Sequence, residues 1–294
     1  MKKQTQAYFH AAGAVLIWST VASAFKISLR HLDFLQLLLL SSMASTIALL
    51  AILILQNKIM LMITFSKKEY LHSALLGFLN PFLYYVFLFK AYELLPAQEA
   101  QPLNYTWPIM LVLLSIPLLG QKISVKSLVA IIISFFGVLI ISTQGNLTEF
   151  RFTNLTGALL ALSTAVIWAL FWIYNIRDKR DEVVKLCLNF LFGFIYIFIT
   201  VLLFSKITVP DIKAVLGSAY IGLFEMGLTF VIWSKALSLS KTTAQVSKLI
   251  YLVPFLSLVV IYFAVGERIL PSTITGLILI VSGIVLEELN SRRK

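Results

Sequence analysis

Ten stretches of about twenty mostly apolar residues follow one another along the chain, near 8–28, 34–55, 70–91, 97–118, 125–143, 155–174, 185–204, 214–235, 243–264 and 271–289. Short polar turns part them. About twenty helical residues cover the roughly 30 Å of hydrocarbon in a bilayer. None of the stretches alternates apolar and polar residues, as the strands of a membrane barrel do. The pattern predicts an all-α membrane protein with ten transmembrane helices. The first run precedes nine others and has no small-residue cleavage site, so it is expected to stay as helix one.

The turns set the orientation, because cytoplasmic connections hold the excess of Lys and Arg. With the N-terminus inside, fifteen of the 24 cations fall on that side, five fall opposite, and four lie within or at the ends of spans. Both termini are thus expected in the cytoplasm. The longest connection, around residues 56–69, is too short for a soluble catalytic domain.

Composition sharpens this picture. The chain is 60% hydrophobic and 13% charged, against about half and a quarter in soluble domains, and its mean hydropathy is +0.93. A net charge of +11 could mark a nucleic-acid binder. Here the loop cations that set topology already account for it, and no nucleic acid is expected. A single cysteine, Cys187, excludes a disulfide framework. Two Asn-x-Thr sequons, at Asn146 and Asn154, are read as chance in a bacterial chain.

Sliding the chain on itself reveals an internal repeat. At an offset of 145, Gly77, Lys90, Ala91 and Leu94 fall on Gly222, Lys235, Ala236 and Leu239. At 146, Leu103, Tyr105, Pro108, Gly120 and Gly137 fall on Leu249, Tyr251, Pro254, Gly266 and Gly283. The predicted units are residues 1–143 and 155–294, joined by a linker at 144–154. Five spans per unit is an odd number, so the second unit enters the membrane from the opposite face. Such inverted repeats can expose one central site alternately to either side.

Two five-helix units, with Gly120-Gln-Lys-Ile123 in the first and Gly266-Glu-Arg-Ile269 in the second, resemble the EamA-type branch of the drug/metabolite transporter superfamily. Gln121 departs from the family's usual acid, and Ser41-Ser42 stand where many relatives carry an arginine. Asn104-Tyr-Thr-Trp-Pro108 is similar to a segment of aromatic amino acid exporters. The resemblance implies export of an amino acid or related small metabolite across a bacterial inner membrane. The proton gradient or the substrate's own gradient would drive it. Import of a small organic metabolite is the alternative within the class, and a non-transporting scaffold or sensor the alternative outside it.

Ionisable groups at bilayer depth cost at least about 2.5–3.5 kcal/mol and ask for a reason. Glu225 lies mid-helix between Gly222 and Gly227, and its repeat mate is Asn80, followed by the helix-breaking Pro81. A carboxyl that takes up and releases a proton suits coupling to a proton gradient. Lys248 and Tyr251 share a face of helix nine ahead of Pro254, where Lys248 would pair with Glu225 or meet an anionic substrate. Asn104, Tyr105 and Pro108 hold the corresponding place in helix four. Tyr84, Trp168 and Trp18 complete an expected cavity lined by rings with few polar groups, suited to a small amphipathic metabolite. Trp172 and Trp233 are assigned to the interface belt, Lys26, Lys90 and Lys235 to snorkelling, and Glu93 and Glu99 to solvent.

No phosphate-binding Gly-x-x-x-x-Gly-Lys-Ser/Thr loop occurs, and His10, His31 and His72 are not spaced as metal ligands. The serines within spans have no histidine at hand as base. The chain is expected to be no enzyme and to need no cofactor or metal, with lipid, a small-molecule substrate and protons as its partners, as a monomer or homodimer.

Overall fold

The computed structural model describes residues 3–119, 125–147, 153–240 and 248–291, and among these every regular element is helical. The first part contains α1 (Lys3–Ser28), α2 (Phe34–Leu55), α3 (Lys67–Gly77), α4 (Tyr84–Leu94), α5 (Ala97–Asn104), α6 (Trp107–Leu119) and α7 (Val125–Ser142). The second contains α8 (Leu155–Arg177), α9 (Glu182–Phe204), α10 (Ile212–Tyr220), α11 (Leu228–Leu239), α12 (Val253–Val260) and α13 (Pro271–Ser291). Short side chains mark several starts. The Asp33 carboxylate accepts from Leu35 N at 2.9 Å, Ser66 and Glu69 form a reciprocal capping box, and Asp211 accepts from Ala214 N at 2.7 Å. Asn154, one of the two sequon asparagines, caps α8 by accepting from Gly157 N at 2.8 Å. The Gly120–Ile123 turn and residues 148–152 of the linker lie outside the described residues.

Among the described residues, six helical segments are long and apolar enough to cross a membrane: Lys3–Ser28, Phe34–Leu55, Lys67–Leu94, Leu155–Asn175, Glu182–Phe204 and Ile212–Leu239. Leu128–Ser142, Leu249–Val265 and Pro271–Leu286 are shorter apolar helices. The run expected as one helix at 97–118 is two, α5 and α6, parted at Tyr105 and Thr106. Pro108 has no N–H to extend the ladder, and Thr106 Oγ1 donates back to Leu103 O at 2.7 Å.

Two spans break in the middle. Lys67–Leu94 and Ile212–Leu239 start 145 residues apart (212 less 67) and end 145 apart (239 less 94). The first passes through a π-helical turn, Phe78–Leu83, in which Asn80 is extended at φ −145° and ψ 118°. The second passes through a π-helical turn, Ile221–Glu225, and resumes after Gly227. Pro81 explains the first break, since its ring and missing N–H interrupt the ladder. Such turns occur often at functional positions.

The broken spans are wedged tightly against whole ones. At Gly77 a Cβ would overlap the Asn189 carbonyl oxygen on α9, and at Gly222 it would overlap the Ser41 carbonyl oxygen on α2. Hydrogen is all that fits, so the backbones touch as helices do in membranes. Gly77→Ala and Gly222→Ala should each lower stability by about 1–3 kcal/mol through overpacking, read as a lower Tm in detergent. Gly13→Ala, where nothing lies within 4 Å, serves as the neutral control.

Candidate functional site

A run of rings drawn from four helices packs edge-on and tilted into one ring stack. Trp18 on α1 lies 6.0 Å from Phe230 on α11, Phe230 lies 5.6 Å from Trp168 on α8, and Trp168 lies 4.8 Å from Tyr84 on α4. Tyr85 follows at 4.7 Å from Tyr84. Contacts at these separations and tilts favour ring packing beyond simple burial. Tyr84 and Tyr85 are adjacent in sequence, so they leave α4 about 100° apart and reach different partners.

Polar groups meet this stack at both ends of the tyrosine pair. Tyr85 Oη donates to Glu225 Oε1 at 3.2 Å. Asn104 Nδ2 donates to Tyr84 Oη at 3.2 Å and to Thr164 Oγ1 at 2.8 Å. One carboxyl and one amide thus approach the rings from the broken α10–α11 span and from the end of α5. Nearby, Gln101 Nε2 donates to Ser257 Oγ at 2.6 Å, and Ser257 Oγ donates to Ser19 O at 2.8 Å, which ties α5, α12 and α1 together.

The residues singled out from sequence fall into separate places. Trp18, Trp168, Tyr84, Asn104 and Glu225 belong to the ring stack and its polar edge. Tyr105, Pro108, Tyr251 and Pro254 instead line a narrow cleft against Leu277 and Ile280 of α13. Asn80 is fully buried beside the α3–α4 break, and neither atom of its amide has a hydrogen-bond partner. The adjacent Pro81 packs on α9, its Cδ 2.5 Å from where a Cβ of Gly193 would stand. Lys248 opens a short 3-10 turn, Lys248–Leu252, and its side chain lies outside the described residues, as does any pairing with Glu225.

Three readings of single residues are corrected. Glu99 is buried rather than solvated, and its Oε1 accepts from Gln144 Nε2 at 2.9 Å and Thr153 Oγ1 at 3.2 Å, two residues that follow α7 and precede α8. Trp233 is buried against Trp18 at 5.5 Å rather than standing in an interface belt. Lys26 does not simply snorkel: its ammonium donates to Tyr92 O at 2.7 Å. Sequence reasoning passed over Tyr85, Phe230 and Thr164. The Tyr84-Tyr85 doublet was the available signal for the first; nothing in the sequence marked the other two.

The Gly-Glu-Arg turn has a structural task at the start of α5. Gly266 adopts the left-handed conformation at φ 80°, which favours glycine. The turn swings the Glu267 carboxylate onto the amides that open α5 and lack an intrahelical acceptor, accepting from Ala97 N at 2.9 Å and Gln98 N at 3.1 Å. Gln98 answers by donating to Arg268 O at 2.9 Å and accepting from Leu270 N at 2.9 Å. The α12–α13 turn is therefore latched to the beginning of α5.

Residues 5–143 and 155–287 each match the EamA-like transporter family. An uncharacterized transporter of Clostridium kluyveri is 28% identical over 188 residues, which span 60% of this chain and 58% of that protein. The uncharacterized transporter YvbV of Bacillus subtilis is 28% identical over 76% of this chain and 72% of its own length. YoaV of the same organism is 24% identical over 95% and 96%. A solved crystal structure at 22% identity shares the fold, with a TM-score of 0.69 over 98% of each chain. The chain is a multi-pass membrane transporter by these matches, and it belongs to the EamA-like transporter family.

Proposed function

We propose that this chain is a secondary active transporter that exports a small metabolite, an amino acid or related compound, across the bacterial inner membrane by alternating access. Ten spans in two inverted five-helix units, with both termini cytoplasmic, form the machine. Coupling to protons runs through Glu225, and the ring stack of Trp18, Trp168 and Tyr84 with Asn104 receives the substrate.

The observation that carries this reading is the pair of broken spans, 145 residues apart at both bounds, one of which ends its break in Glu225 beside a ring stack. Discontinuous helices at mid-membrane are where secondary transporters build their sites. The contacts between units support inversion. A Cβ on Gly137 would stand 2.5 Å from Gly276 O, and one on Gly283 would stand 2.5 Å from Ala130 O. A shift of 146 carries residue 137 to 283 and residue 130 to 276, so the two contacts exchange under the repeat.

Purified protein in liposomes tests the proposal. Counterflow of radiolabelled amino acids should exceed that of empty liposomes several-fold, and an inward-acid pH gradient should accelerate it. Absence of flux for a broad metabolite panel, with the protein folded and inserted, would overturn it.

A further inference from the structure

A cavity of about 860 Å³ opens beside α8, α9 and α11, on the face expected to meet the cytoplasm. Phe171, Trp172 and Phe230 line it. These same rings touch the central stack from behind: Phe171 lies 5.9 Å and Trp172 6.1 Å from Trp168, and Phe230 lies 5.6 Å from it. The cavity and the stack share a wall.

Its charges do not balance. Three cations, Lys58, Lys185 and Lys235, and two carboxylates, Asp181 and Glu182, line it. Lys58 Nζ is 2.7 Å from Asp181 Oδ2. Lys185 Nζ donates to Asn175 O at 3.3 Å and Asp178 O at 3.1 Å and lies 3.8 Å from Glu182. Both therefore serve to hold the ends of α8 and α9. Lys235 is exposed on α11, and among the described residues no hydrogen bond or ion pair engages its ammonium. One positive charge is left facing a ring-walled space.

We infer that this cavity is the cytoplasmic loading site for the carboxylate of a small organic acid with an apolar or aromatic body, the α-carboxylate of an amino acid included. Lys235 Nζ takes the carboxylate through a charge-assisted hydrogen bond, and Trp172 and Phe230 take the body. Phe230 lines the cavity and also belongs to the ring stack, so the two stations share that residue. The inference rests on the transport reading and its orientation. It adds a substrate class and a second, outer station on the path.

The full chain in phosphatidylcholine nanodiscs is titrated calorimetrically with 3-phenylpropionate and with its neutral amide. The acid should bind at least tenfold more tightly than the amide. Lys235→Gln should remove that preference while Lys235→Arg keeps it, and Trp172→Leu should weaken both ligands alike. Absence of acid binding, equal binding of acid and amide, or an unchanged preference in Lys235→Gln would overturn the inference. A lipid phosphate offers the same anionic chemistry, so the titration is repeated with phosphatidylglycerol in the disc; loss of acid binding there would assign the cavity to lipid and overturn the proposal. Liposome counterflow separates the two readings. Intact acid binding without any flux would sink transport alone, and flux unaltered by Lys235→Gln would sink this site alone.

Discussion

Glu225→Gln should lower proton-gradient-driven flux at least tenfold while leaving substrate exchange at equal pH largely intact. The variant keeps the size of the side chain and an oxygen that accepts from Tyr85 Oη, the partner now at 3.2 Å. What it loses is the ability to gain and release a proton. A proton crossing 100 mV carries about 2.3 kcal/mol, roughly a fifty-fold concentration ratio, so removing the coupling group removes a term far larger than any packing change the substitution introduces. Tyr85→Phe separates the carboxyl from its donor. That variant should stay coupled but alter the pH profile of flux, because the carboxyl loses the Tyr85 donor. An unchanged rate and pH profile in Glu225→Gln would show that the carboxyl is structural.

Six of the expected spans are long apolar helices among the described residues and were legible because oil thickness dictates their length, and the first mid-span break was legible at Asn80-Pro81 because proline cannot continue a helix. The second break, at Ile221–Glu225 and Gly227, has no proline; only the repeat register pointed to it. The α5–α6 division was marked in the sequence only by the helix-breaking Pro108; the whole of 97–118 averages as apolar although α5 carries Gln98, Glu99, Gln101 and Asn104, and hydropathy records composition rather than continuity. The grouping at the candidate site was half legible. Glu225, Tyr84, Asn104, Trp18 and Trp168 stood out as polar or ring-bearing groups in apolar runs. Their gathering into one stack, and the placing of Tyr105 and Tyr251 in a separate cleft, depends on the packing of distant segments, which one-dimensional periodicity does not encode. Glu99 and Trp233 were misassigned for the same reason: residues near span ends were taken to meet water or headgroups, whereas Gln144 and Thr153 meet Glu99 and α1 covers Trp233.

Arg180 illustrates a residue whose sequence signal and structural work differ, and its removal should cost more stability than any other single exchange considered. In sequence it is one of the loop cations that set topology. In the fold it is a clasp. Its Nε donates to Asp178 Oδ1 at 2.9 Å, its Nη2 to Asp178 Oδ2 at 2.6 Å and Ser73 Oγ at 2.8 Å, and its Nη1 to Glu69 O at 3.2 Å. The guanidinium also lies 5.0 Å from the Phe65 ring centre. The α8–α9 connection is thereby fastened to the start of α3. The two side chains are only 8% and 5% exposed, so Arg180→Met strands a carboxylate, at a cost of about 3–5 kcal/mol. The double variant Arg180→Met with Asp178→Leu removes both charges and should recover much of the lost Tm. Acid should mimic the loss. Burial raises the Asp178 pKa, but the Arg180 hydrogen bonds outweigh it and hold the carboxyl below its ordinary value near 3.8. A group depressed in the folded state stabilises above its unfolded pKa and loses that contribution as the pH falls through the folded one. The Tm gap between wild type and the double variant should therefore be constant from pH 7 to about 5 and change below about 4. A gap that does not move at low pH, or an Arg180→Met protein as stable as wild type, would mean that the clasp is an ordinary surface pair.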